Sequence, residues 1–142
     1  MLAGVVLGYE RERADKPAGL RTYMLVTQGA ALFMICAIML SAQVTMADGT
    51  ISDPGRIAST VVQGIGFIAA GVILTTGREI VGLTTAAGLW VATAIGLLIG
   101  AGFYPIALVA TVATVIALIA LHRLERHFIS SNELNAPSEP DT

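Results

Sequence analysis

An all-α bundle of about five membrane helices, the first one short, is the fold that the sequence predicts. Three observations lead to it. Only 13% of the 142 residues are charged, against roughly 25% in soluble domains. Mean hydropathy is +0.77. The charges are also clustered: none lies between Thr22 and Ala47, between Ile57 and Gly77, or between Ile80 and Leu121. A helix needs about 20 apolar residues to cross a hydrocarbon core about 30 Å thick. These three intervals hold four such crossings, so a lipid-facing bundle is expected and a soluble core is not.

The first expected span, Met1–Tyr9, is incomplete. "MLAGVVLG" offers eight residues before Tyr9 and Glu10, about 12 Å of helix. It is too short, and lacks the basic start, for a secretory signal. It reads as the C-terminal half of a helix that begins upstream, in preference to a short half-inserted one. "DKPAG" then forms a turn that stops this helix. Thr22–Val44 is the second span. The third, Arg56–Thr76, opens with Asp53 as a cap and Pro54 at the first helical position, where a missing N–H costs nothing. Leu83–Gly102 is the fourth. Pro105 starts the fifth, which runs to Leu121. The membrane domain is assigned to residues 1–127, and residues 128–142 to a disordered polar tail rich in Pro, Ser, Asn and acids.

Lys and Arg remain on the cytoplasmic side of a membrane. With five spans, Arg11, Arg13, Lys16, Arg21, Arg78, Arg123 and Arg126 fall on one side and Arg56 alone on the other. The first and third loops and the C-terminus are therefore assigned to the cytoplasm. Tyr9, Tyr23 and Phe128 then lie near the inner interface, and Phe103 and Tyr104 near the outer, where aromatic rings settle.

Glycines inside apolar spans need a reason. Membrane helices associate through close backbone contact and hydrogen bonds, so small residues line their seams. On the third span Arg56, Ser59, Gln63, Gly66, Ala70 and Gly77 share a face, with Gly64 and Gly71 on a second stripe. The fourth span places Thr85, Gly88, Ala92, Gly96 and Gly100 together, and the fifth Ala110, Ala113, Ala117 and Ala120. "GIGFIA" also fits the G-x-G-x-x-A of dinucleotide loops. Such a loop requires a preceding strand and an α/β unit, neither of which the surrounding sequence provides.

Polar residues within a membrane suggest function, yet all ten carboxylates lie in loops or at span ends. Glu10 closes the first span and Asp53 opens the third. Arg21 is placed to pair with Glu10 or Glu12, or simply to snorkel to the interface. Asp53 and Arg56 are placed to pair at a helix entrance. Gln28, Gln63, Thr84, Thr85 and Thr93 offer neutral oxygens, read first as hydrogen-bonding groups between helices. Glu10, Arg21, Asp53 and Arg56 are the candidate functional residues. Gly64, Gly66, Ala70, Gly71, Gly88, Ala92 and Gly96 are the candidate packing residues. Cys36 is the only cysteine, so neither an internal disulfide nor a cysteine metal site is expected. No motif of nucleophile, base and orienting acid is present, and no cofactor, metal ligand set or enzymatic activity is expected. The basic residues of the first loop are interleaved with Glu10, Glu12 and Asp15. That pattern suits anionic lipid heads and disfavours nucleic acid.

At "GYERERADKPAGLRT", "DPGRIASTVVQGIGFIAAGVIL" and "GLTTAAGLWVATAIGLLIGAGFY" the chain resembles the MgtC/SapB family of bacterial inner-membrane proteins. Gly8, Glu10, Arg11, Glu12, Pro17, Gly19, Leu20, Arg21 and Thr22 match its first block. Asp53, Pro54, Arg56, Gly64, Gly66 and Gly71 match its second. Gly82, Thr84, Thr85, Trp90 and Gly96 match its third. The resemblance implies about five membrane helices and a cytoplasmic C-terminus. It also implies a link to growth at low Mg²⁺ and, in pathogens, to survival inside host phagocytes. A regulator that acts on other membrane complexes is the implied mode of action; a Mg²⁺ or small-solute transport component is the alternative. The small-residue faces suit partners that are other membrane proteins or a second copy of the chain. Longer members carry a folded cytoplasmic domain after the last helix, in place of which this sequence has a polar tail.

Overall fold

The computed structural model describes residues 1–49, 53–76 and 79–133. It is an all-α bundle of five helices with one small hairpin. Helix α1 is Leu2–Arg13 and α2 is Leu20–Asp48. Helix α3 is Gly55–Ala70, followed by strands β1 (Leu74–Thr76) and β2 (Glu79–Val81). Helix α4 is Leu83–Gly100 and α5 is Tyr104–Glu133. Among the described residues three stretches are long and apolar enough to cross a membrane: Leu20–Ala47, Leu83–Gly100 and Tyr104–Leu121.

The local chemistry explains the breaks. Helix α1 ends where Asp15 takes a positive φ of 52° and Pro17 follows. Helix α2 stops at Gly49, whose φ of 67° suits a residue without a Cβ; its N–H bonds the Thr45 carbonyl. The third span does not run to Thr76. Helix α3 stops at Ala70 after 16 residues, about 24 Å, and Leu74, Thr75 and Thr76 pair antiparallel with Val81, Ile80 and Glu79. Val72, Ile73, Thr75 and Thr76 are β-branched, which favours strand over helix; apolarity alone does not separate the two. Gly82 has a φ of 93°, and a Cβ there would run into the Val72 carbonyl oxygen, so the hairpin closes tightly before α4. Helix α5 continues to Glu133. Residues 134–142 lie outside the described residues.

Helix α2 is the hub, packed most extensively on α4 and then on α1. Successive glycines of α4 meet successive residues of α2: Gly88 meets Tyr23, Gly96 meets Thr27 and Ala30, and Gly100 meets Ala31 and Met34. The two helices therefore run parallel. Helix α1 is antiparallel to both, since Gly4 meets Tyr23, Met24 and Thr27 while Gly8 meets Leu20. The core holds Leu7, Tyr23, Leu89, Ala92, Ile95 and Ala107. On α5, Ala107 and Thr111 are buried and Ala110 is partly covered, while Ala113, Ala117 and Ala120 are exposed. The packing stripe of α5 is thus rotated from the alanine face expected of it. Phe33, Met39, Val109, Val112 and Ile116 face outward, as a lipid-facing surface requires.

Candidate functional site

The end of the bundle that gathers the C-terminus of α1 and the N-termini of α2 and α4 carries a buried polar cluster. It exists because α1 lies very close to α2. A Cβ on Gly4 would sit 2.7 Å from the Tyr23 carbonyl oxygen, and one on Gly8 would sit 2.6 Å from the Leu20 Cα. Arg11 follows Gly8 on the same face by one helical turn, and it is carried inside with only 2% of its surface exposed. Its Nε donates to the Glu10 carboxylate, a pair in which Glu10 is also mostly covered. Tyr23 is fully buried beside it, within the field of both charges. The Tyr23 hydroxyl donates to the Thr85 carbonyl oxygen at 3.4 Å, a long bond, and fills the space that a side chain at Gly88 would take. Thr27 is also fully buried, and its hydroxyl has no hydrogen-bond partner among the described residues. The Glu12 carboxylate accepts from the Leu20 N–H at 2.7 Å, where the positive end of the α2 dipole favours an anion.

Of the four polar residues singled out from the sequence, only Glu10 belongs to this cluster. Arg21 is exposed on the first turn of α2. Among the described residues the one ion pair joins Glu10 to Arg11, so Arg21 pairs with neither Glu10 nor Glu12. Asp53 Oδ1 accepts from the Gly55 N–H at 2.8 Å and so serves the entrance of α3. Arg56 is exposed, and no ion pair joins it to Asp53 among the described residues. These two stand at the end of α3 away from the hairpin, one helix length from the Arg11 end, and the four residues do not form one site. Arg11, Tyr23 and Thr27 are the residues that sequence reasoning passed over. The signal available was Gly4, Gly8 and Arg11 at spacings of four and three, a small-residue stripe leading to a charge.

The packing residues divide by helix. Gly88, Ala92 and Gly96 are buried, and Gly88 and Gly96 lie against α2. Gly64, Gly66, Ala70 and Gly71 are exposed, and among the described residues nothing lies within 4 Å of where a Cβ on Gly64 or Gly66 would stand. Between α2 and α3 runs an apolar groove of about 610 Å³ with Gly29, Thr60, Gly64 and Thr93 among its lining residues. No group of three or more His, Cys, Asp or Glu side chains placed to hold a metal ion occurs among the described residues.

The sequence profile of the MgtC family matches residues 1–127. Over 126 residues, 89% of the chain, it is 45% identical to the putative magnesium transporter YhiD of Escherichia coli K12, covering 59% of that protein. It is 47% identical to Protein MgtC of Salmonella typhimurium over 111 residues, 78% of the chain and 44% of that protein. It is 43% identical to Protein MgtC of Brucella abortus over 110 residues, 78% of the chain and 43% of that protein. The chain thus spans about half the length of the curated relatives it matches. No solved structure matches it.

Proposed function

Because the chain belongs to the MgtC family, we propose that it is a non-enzymatic protein of the bacterial inner membrane, serving magnesium homeostasis and stress adaptation by binding membrane partners. The observation that carries this reading is the contrast between α4 and α3. The small residues of α4 are used within the bundle, against α2, whereas Gly64 and Gly66 of α3 are exposed, with nothing among the described residues within 4 Å of where a Cβ would stand. A helix that keeps glycines and Gln63 on an outer face is suited to protein contact rather than to lipid.

The carboxylates support the same reading. Mg²⁺ is a hard cation held largely by carboxylate oxygens and water. Glu10 is engaged by Arg11, Glu12 by the Leu20 N–H and Asp53 by the Gly55 N–H. Each is at a helix end, where these bonds shape the bundle. The orientation proposed from the Lys and Arg distribution puts the Arg11 end and the C-terminus in the cytoplasm.

Transport of Mg²⁺ is the second reading, favoured by the description of YhiD as a putative magnesium transporter. Uptake of Mg²⁺ into proteoliposomes that hold the purified protein separates the two. The expected result is no saturable uptake in folded protein. Saturable uptake that is lost in an Asp53→Ala, Arg56→Ala double variant would make the chain a transporter.

A further inference from the structure

We infer that the groove between α2 and α3 binds one phospholipid, with its phosphate on Arg21 and an acyl chain laid between Gly29 and Gly64. The inference goes beyond the partner-binding reading and does not rest on it. The groove has a volume of about 610 Å³. Its wall on α2 runs from Leu25 to Phe33, about 12 Å of helix, and its wall on α3 from Ile57 to Ile68, about 16 Å. That is the depth of one leaflet, half of a hydrocarbon core about 30 Å thick. Gly29 and Gly64 line opposite walls, and among the described residues nothing stands within 4 Å of either missing Cβ. Glycines at a seam let membrane helices close on each other, whereas these two leave a space open.

The groove is suited to hydrocarbon. Leu25, Val26, Phe33, Val61 and Ile65 give it an apolar lining. Its two hydroxyls are both engaged: Thr60 Oγ1 donates to the Ile57 carbonyl at 2.8 Å and Thr93 Oγ1 to the Leu89 carbonyl at 2.9 Å. It is too slender to enclose a helix. Spread over its length, the volume gives a cross-section of about 40–50 Å², and a helix about 10–12 Å across needs about twice that. Gln63 and Gly66 lie outside the lining, so the side of α3 that they occupy stays open to a protein partner.

Charge decides which mouth holds the head group. Arg21 stands one turn before Leu25, on the stripe that continues through Gly29 and Phe33 at spacings of four. It is exposed and has no ion-pair partner among the described residues. Arg13 and Lys16 of the adjoining loop also lack one. Of the acids at this end, Glu10 is paired with Arg11 and Glu12 accepts from the Leu20 N–H, so that Arg13, Lys16 and Arg21 outnumber Glu12 and Asp15. The other mouth has Arg56, with the Asp53 carboxylate three residues before it on the same helix entrance. A phospholipid is an anion joined to an apolar chain, and it matches an unpaired guanidinium at the head of an apolar groove.

The test is native mass spectrometry of the full chain in detergent with added dioleoyl phosphatidylglycerol. One lipid per chain should be retained at concentrations where any others dissociate. Arg21→Gln should weaken its binding by about fivefold, the effect of one basic residue at an anionic lipid surface. Gly64→Leu and Gly29→Leu, each filling the groove from one wall, should abolish it while thermal unfolding stays that of the parent. Arg56→Gln should bind as the parent does, and glycerol phosphate, a head group without chains, should not compete. Failure of folded parent protein to retain a lipid overturns the proposal. So does parent-like binding in Arg21→Gln or in the two glycine variants, which would leave only a non-specific lipid shell. Competition by glycerol phosphate, or a loss in Arg56→Gln equal to that in Arg21→Gln, overturns it as well. A Val61→Cys variant that crosslinks to another protein in native membranes, in place of lipid, would seat a protein in the groove and also overturn it.

Discussion

Arg11 and Arg21 carry the same charge, and burial alone separates their roles. Arg11 is buried on α1 with Glu10 as its ion-pair partner, whereas Arg21 faces outward. Removing one member of a buried pair leaves the other charge uncompensated, a cost of about 3–5 kcal/mol. Arg11→Ala should therefore lower the unfolding free energy in detergent by about that amount. Arg21→Ala should change it by no more than about 0.5 kcal/mol, as surface substitutions usually do. Equal losses in the two variants would refute the division. Arg21 was the more prominent residue in the sequence because it sits at the entrance of a long apolar span. Arg11 looked like one more member of a charged loop, and nothing local distinguishes a buried guanidinium from a solvated one.

At the scale of the element, two helices with the same small-residue pattern behave differently. On α4 the pattern faces α2, and a Cβ at Gly96 would lie 2.7 Å from the Ala30 Cβ and closer still to the Thr27 carbonyl oxygen. Gly96→Ala forces backbones apart and should cost about 1–3 kcal/mol, the range for overpacking a tight contact. On α3 the Gly64 site is open, so Gly64→Ala should leave the fold intact and add about 0.5–1 kcal/mol of helix stability. Thermal unfolding of the two variants side by side in one detergent tests this. A Gly96→Ala protein as stable as the parent would remove the close α2–α4 seam. Periodicity located both stripes in the sequence. It could not say which stripe the fold would cover, because that depends on where α2 runs.

The whole molecule has two distinct ends. One gathers the first loop, the start of α2, the hairpin and the start of α4; the other gathers the start of α1 and the turn before α5. In a Cys36→Ser background, Asp15→Cys and Val81→Cys should react with an impermeant thiol reagent from the same side of the membrane, and Gly102→Cys from the opposite side. Labelling of Asp15→Cys and Gly102→Cys from one side would break this arrangement. Positive charge concentrated near the first of these ends leads to the expectation that it is cytoplasmic. The shortness of α3 is a property of this scale too. At about 24 Å it falls short of a full hydrocarbon thickness, and the hairpin completes the distance to α4.

The sequence by itself determined that the chain is a helical membrane protein of the MgtC type, because long charge-free intervals and ordered family blocks are local features. It also located the break at Pro17 and the helix starts near Pro54 and Pro105, since proline's φ preference acts one residue at a time. Tertiary structure decided the rest. The segment after Ala70 became a hairpin in which Leu74, Thr75 and Thr76 pair with Val81, Ile80 and Glu79, and hydropathy is blind to that choice. Arg11 came beside Tyr23, and Thr27 was buried, because Gly4 and Gly8 let α1 press against α2 while α4 ran parallel to it. Burial is a property of neighbours, and a residue's neighbours across helices are set by chain direction and packing, which one-dimensional spacing does not encode.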